Sequence, residues 1–273
     1  MPALLLLALL TASGDARELR FLRPGAAPVV LDAATLAARC GVQTIRVDDP
    51  YYGGARKTYR ACPLAAVLQL GLGAPITDFA GQTVFFRARD GYAKPAPPAL
   101  LAEPGGFLAL ADLDHARGDA PGWQPIDVKQ VDPGPFYVVW TGAAQQDTHR
   151  YPWPYQLTEI EIAPIETLYP HIAPTGLPAD APARAGYAIF TGQCIACHAI
   201  NREGGSVGPD LNVPRSIVEY RPVEQIKAYI RDPLAFRYTA MPPHPALTDA
   251  DLDALIAYFT AMKDRKLDPG RAP

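Results

Sequence analysis

Cys194-Ile195-Ala196-Cys197-His198 is the stretch of this 273-residue chain best equipped for chemistry. Two thiols three positions apart can each bond to a vinyl group of one haem. An imidazole beside the second thiol can then ligate the iron. A Cys-x-x-Cys pair also serves as a redox disulfide or as half a zinc site. The adjacent His198 favours haem over both. An iron held by one histidine needs a sixth ligand or keeps an open face. Met241 lies in Tyr238-Thr239-Ala240-Met241-Pro242-Pro243, a proline-bounded loop. Thioether ligation there would raise the reduction potential relative to two histidines. The other methionines fit less well, because Met1 is in a leader-like segment and Met262 falls on the apolar stripe of a helix. His244 is the second choice as ligand and is otherwise expected at the surface.

Other residues invite chemistry and have plainer readings. Asp112, Asp114 and His115 could bind a metal, but a solvated acidic loop is the expectation. His149 to Tyr155 could be an aromatic docking surface or a proline-braced loop covering the core. Gly71 and Gly73 read as a helix stop without phosphate-loop context. Cys40 and Cys62 could form a disulfide, remain buried thiols or ligate a cofactor.

These residues need elements to position them. The chain is 49% hydrophobic and 19% charged with net charge −3, which excludes a disordered polyelectrolyte and a basic nucleic-acid binder. Its 30 prolines argue against an all-helical bundle. Leu4 to Leu10 is an apolar run too short to span a bilayer and is followed by small residues. Residues 1–16 are therefore expected to be a signal peptide, cut after Ala16 or Ala12. No later segment is long and apolar enough to cross a membrane, so a soluble periplasmic protein is expected.

In residues 17–163, a helix should open at Asp32 and stop at Gly41, and Pro63 should open another ending at Gly71. Thr44–Val47, Thr83–Ala88, Phe136–Trp140 and Leu157–Ile162 have strand composition. Residues 89–135, rich in Gly and Pro, are expected to be long loops. Residues 164–182 carry Pro164, Pro170, Pro174, Pro178 and Pro182, and read as an extended linker. Residues 183–273 are helical. Arg221-Pro222 opens one helix with Val223, Ile226, Tyr229 and Ile230 on a face. Thr248 caps the last, whose Leu252, Leu255, Ile256, Phe259 and Met262 form an apolar stripe. The expected fold is an α+β unit followed by an all-α unit.

Residues 183–268 resemble a class I cytochrome c domain. The resemblance is carried by Gly186 and Phe190, Cys194 to His198, Gly208-Pro209-Asp210-Leu211, Tyr229 to Pro233, Met241-Pro242 and the last helix with Tyr258. It implies a helical bundle around one covalent haem c with His198 and Met241 as axial ligands. It also implies that the Pro209 carbonyl accepts a hydrogen bond from His198, and that Gly186 packs on Tyr258. More loosely, Tyr59 to Leu64, Val67-Leu68, Val84 to Phe86, Asp90-Gly91-Tyr92 and the Tyr155–Ile162 strand resemble the molybdopterin-binding domain of sulfite-oxidase-type enzymes. Neither Cys40 nor Cys62 matches the molybdenum-ligating cysteine of that family. No molybdenum site is therefore carried over, and a cofactor-free docking unit is expected. The functional expectation is a periplasmic carrier of single electrons working with a redox protein partner, rather than a standalone enzyme. The alternative is a single-chain oxidoreductase whose first unit oxidises a small, sulfur-type substrate and passes electrons to the haem.

Overall fold

The computed structural model describes residues 17–115, 122–126 and 130–268, so the leader expected over residues 1–16 lies outside the described residues. The first half is built on two sheets. Strands β1 (Glu18–Leu22), β2 (Val29–Asp32), β5 (Thr83–Ala88), β6 (Ala93–Ala96) and β9 (Leu157–Ala163) form a mixed sheet in the order β2-β1-β9-β5-β6. Only the β1–β9 pair in it is parallel. Strands β3 (Gln43–Asp49), β4 (Ala55–Pro63), β7 (Gly106–Asp112) and β8 (Tyr137–Trp140) form an antiparallel sheet in that order. Helix α1 (Ala33–Arg39) starts where the Asp32 carboxylate accepts the Thr35 amide at 2.6 Å, satisfying a donor the helix leaves free. Helix α2 (Leu64–Leu72) touches β1, β2, β4 and β7 and buries Val67 and Leu68 completely.

Gly71 does not end α2, as its sequence position suggests. It lies inside the helix against Phe21, whose ring would meet an added Cβ at 2.1 Å. Gly73, at φ +78°, ends the helix in the left-handed conformation. Residues 89–135 are not loop throughout, since they contain β6, the short helix α3 (Pro98–Leu101) and β7. Pro95 hides β6 from a sequence reading, but β6 is an edge strand, where a missing amide donor is tolerated.

The acidic residues expected in solvent are partly buried. Asp112 is fully buried and 2.8 Å from the Lys57 ammonium, while Asp114 accepts the Thr58 amide. Burial without this partner would be costly for either charge. The loop 149–155 covers the core: Tyr151 and Trp153 are buried, and the Trp140 indole donates to the Pro152 carbonyl at 2.7 Å.

Cys40 and Cys62 form a disulfide between the end of α1 and β4. Closing a loop of this length restricts the unfolded chain, so a Cys40→Ala, Cys62→Ala variant is expected to lose about 3 kcal/mol. Urea unfolding of the two proteins checks this.

The second half has its own core. It holds α5 (Pro182–Ile189), α6 (Val223–Arg231) and α7 (Asp249–Lys263), with Phe190, Ile195, Ile226, Ile230, Leu252, Leu255, Tyr258 and Phe259 buried. Thr248 and Asp251 cap α7 reciprocally. Val223 faces solvent, leaving Ile226 and Ile230 to anchor α6. Residues 164–182 are more than an extended linker. They carry the short helix α4 (Ile165–Leu168) and bury Tyr169 and Ile172 in the second core. The reason is alternation along β5. Val84 and Phe86 point into the first core, and Phe85 points out to meet Tyr169 edge to face, ring centroids 5.3 Å apart.

Candidate functional site

Helix α5 begins with Pro182 and does not end cleanly. It passes into a wider π turn, Phe190–Cys194, where the Ile195 amide donates to the Phe190 carbonyl at 2.9 Å. Such turns gather at functional sites because they re-aim the side chains that follow. The next turn brings the amides of Cys197 and His198 onto the Cys194 carbonyl at 3.1 and 2.9 Å. Both thiols are thereby set on one short loop. Among the described residues, Cys194 and Cys197 are the free cysteines. Burial pushes their thiols up, Cys194 to about 12 and Cys197 to about 11, so both are protonated at neutral pH.

The His198 ring is fixed on two sides. Its Nδ1–H donates to the Pro209 carbonyl at 2.8 Å, which leaves the Nε2 lone pair for a metal. Gly208 lies flat beside the ring, where an added Cβ would meet Cε1 at 2.5 Å. Burial holds the imidazole below its ordinary pKa, and the Pro209 bond opposes this. A neutral ring is the form that binds iron. Two free thiols and an oriented imidazole in one turn thus fit a covalently held haem.

Gly186 sits where α5 crosses α7. A Cβ there would meet the Ala254 carbonyl oxygen at 2.0 Å and the Tyr258 Cβ at 2.7 Å. Tyr258 is buried, stacks near Phe190 at 5.4 Å and donates to the Ile172 carbonyl at 2.8 Å. Met241 is half-buried against the second core, and its amide donates to Thr239 Oγ1 at 3.2 Å. Met262 is buried within α7. Beside the Met241 loop, Leu234, Phe236 and Tyr238 are exposed, and Arg237 lies over the Tyr229 ring.

His244 is not at the surface. It is 6% exposed, its amide donates to the Ile230 carbonyl, and its ring lies 5.1 Å from that of His149. Burial, with help from His149, Lys94 and His198, pushes its pKa from 6.5 down to about 4. The unfolded chain therefore binds more protons than the folded one between those values. The contribution is intact above the unfolded value and is lost as pH falls through 6.5 toward 4, by about 2–3 kcal/mol. Urea midpoints measured between pH 7 and 4 should fall less steeply in a His244→Gln variant.

Three residues of the first half, Gly91, Ala93 and Lys94, bring it onto this loop, a role the sequence reading gave to none of them. The Ala93 amide donates to the Ala196 carbonyl at 2.9 Å, and the Ser206 amide donates to the Gly91 carbonyl at 3.0 Å. Lys94 is buried and reaches the Gly192 carbonyl at 2.8 Å. Partners about 100 residues apart leave no local trace. The one available signal was a lone cation in Ala93-Lys94-Pro95-Ala96-Pro97-Pro98.

Comparison with known proteins bears on the same segment. Residues 181–259 match the family described as cytochrome c oxidase, cbb3-type, subunit III. The chain is 32% identical over 94 residues to cytochrome c oxidase subunit 2 of Alkalihalophilus pseudofirmus, covering 32% of this chain and 27% of that protein. It is 39% identical over 84 residues to lupanine 17-hydroxylase [cytochrome c] of a Pseudomonas species, covering 30% of this chain and 11% of that protein. The chain therefore spans only a minor part of the length of either relative.

Proposed function

We propose, starting from residues 181–259 as a c-type cytochrome domain segment that binds haem c and carries electrons, that this protein is a periplasmic single-electron carrier with one haem. Cys194 and Cys197 would hold it through thioethers, and His198 and Met241 would ligate its iron. When bound, the haem supplies one-electron Fe(III)/Fe(II) cycling. The chain's own residues do the rest. Pro209 holds the proton on His198 Nδ1, and Gly208 lets the ring stand where no side chain would fit. Gly186 lets α5 close on α7, and the proline-bounded loop presents Met241. The units are a leader over 1–16, a first unit over 17–163, a strap over 164–182 and the haem unit over 183–273. The first unit is a cofactor-free relative of the sulfite-oxidase-type domain that serves docking. The exposed face of Leu234, Phe236, Tyr238 and Arg237 suits a redox protein with an apolar centre and an acidic rim.

The observation that carries this reading is the Nδ1–Pro209 bond beside two free thiols. Reductive titration and elemental analysis of the purified full chain test it. One iron and one electron per chain, without molybdenum, are expected. Molybdenum beside the iron would instead favour an oxidoreductase in one chain.

A further inference from the structure

Lys94 is a cation in an unusual place. It lies on the edge strand β6 of the first half and is 5% exposed. Its ammonium donates to the Gly192 carbonyl at 2.8 Å and to the His149 carbonyl at 3.2 Å. Among the described residues it has no carboxylate within ion-pair distance, in contrast to the other buried lysine, Lys57. Gly192 is two residues before Cys194, and the flanking Ala93–Ala196 bond fixes β6 against the Cys-x-x-Cys loop itself. His244, its ring 5.1 Å from that of His149 and tilted to it, closes the same neighbourhood. Burial lowers the pKa of this ammonium. Asp147, beyond ion-pair distance, and two neutral carbonyls repay only part of the cost of holding it. A pure fastener would not need the charge, because a neutral donor could bond both carbonyls.

We propose that Lys94 is a tuning charge through which the first unit raises the reduction potential of the haem. The inference rests on the reading of Cys194 to His198 as the haem site. When one electron enters the iron, no bond forms or breaks and the local charge becomes more negative by one. A fixed cation nearby, shielded from water, favours that reduced state. A unit charge about 10 Å away acting through an effective dielectric of about 20 shifts the balance by about tenfold. Tenfold in a one-electron couple corresponds to about 59 mV. The haem unit's potential then depends on a residue contributed from roughly 100 positions earlier, and the interface between the units becomes part of the redox device.

The test is potentiometric titration of full-length holoprotein for the wild type, Lys94→Met and Lys94→Arg, with visible spectra and thermal unfolding recorded for each. Lys94→Met is expected to lower the ratio of reduced to oxidised protein at fixed poise by about tenfold, with the haem spectrum kept. Lys94→Arg, which keeps the charge, should stay within about threefold of the wild type. A ratio within about twofold of wild type for Lys94→Met, or an Arg variant that behaves like Met, would overturn the proposal and leave Lys94 a fastener. If Lys94→Met loads haem poorly, Lys94→Gln reads the same ratio with a side chain that still bonds carbonyls. Wild-type protein lacking haem would overturn the underlying site reading, and this inference with it. Haem present with an unchanged ratio would overturn this inference alone.

Discussion

A Cys194→Ala, Cys197→Ala variant is expected to lose all covalently attached haem. The denatured protein should give no haem-stained band, and its mass should be that of the bare polypeptide. The two thiols are the free cysteines among the described residues, and the Cys40–Cys62 disulfide leaves no other thiol to substitute for them. The stability of the second half should fall as well, although its backbone should keep its course. The loop that carries them is held by its own turns, by Gly205 and Gly208 amides on the Ile195 and Cys197 carbonyls at 2.8 and 2.7 Å, and by β6. The loop backbone can therefore persist while the haem is lost. Stabilisation by anything that binds only the folded state disappears with its ligand. The first half should unfold as before, so thermal unfolding is expected to separate into two transitions.

The second large effect belongs to Gly186→Val. An added Cβ would lie 2.0 Å from a backbone oxygen of α7, and that oxygen cannot rotate away as a flexible side chain could. The helices must separate, which also breaks the Phe190–Tyr258 packing and strains the Tyr258 bond to Ile172. Overpacking a close helix contact by this route is expected to cost about 3 kcal/mol or more. Urea unfolding followed at the haem band measures it. A loss below about 1 kcal/mol would mean that the two helices do not approach as described.

How much of this was readable depended on how local each signal was. Asp32, Thr248 and the stripe on α7 report structure made by residues three or four apart, and the elements formed where those residues placed them. Cys194 to His198 is equally local, since one turn of chain builds it. Pro209 and Tyr258 came through family resemblance, and the structure sets both against their expected neighbours. Features that depend on distant partners were not legible. Gly71 resembles a helix stop until Phe21 is seen against it. Pro95 argues against a strand unless the strand is known to be an edge. Asp112 looks solvated until Lys57 arrives from β4, and His244 looks exposed until His149 covers it. Lys94 combines these difficulties, because both its acceptors and its burial come from elsewhere in the chain.

The central claim is a haem held between His198 and Met241, and proton NMR of the reduced holoprotein tests it most directly. A methionine methyl lying over the haem face is carried far upfield by the ring current, outside the range of other protein signals. The account predicts one such methyl in the wild type and its absence in Met241→Ala, with Met262→Leu unchanged. No upfield methyl in the wild type, or one that survives Met241→Ala, would contradict it.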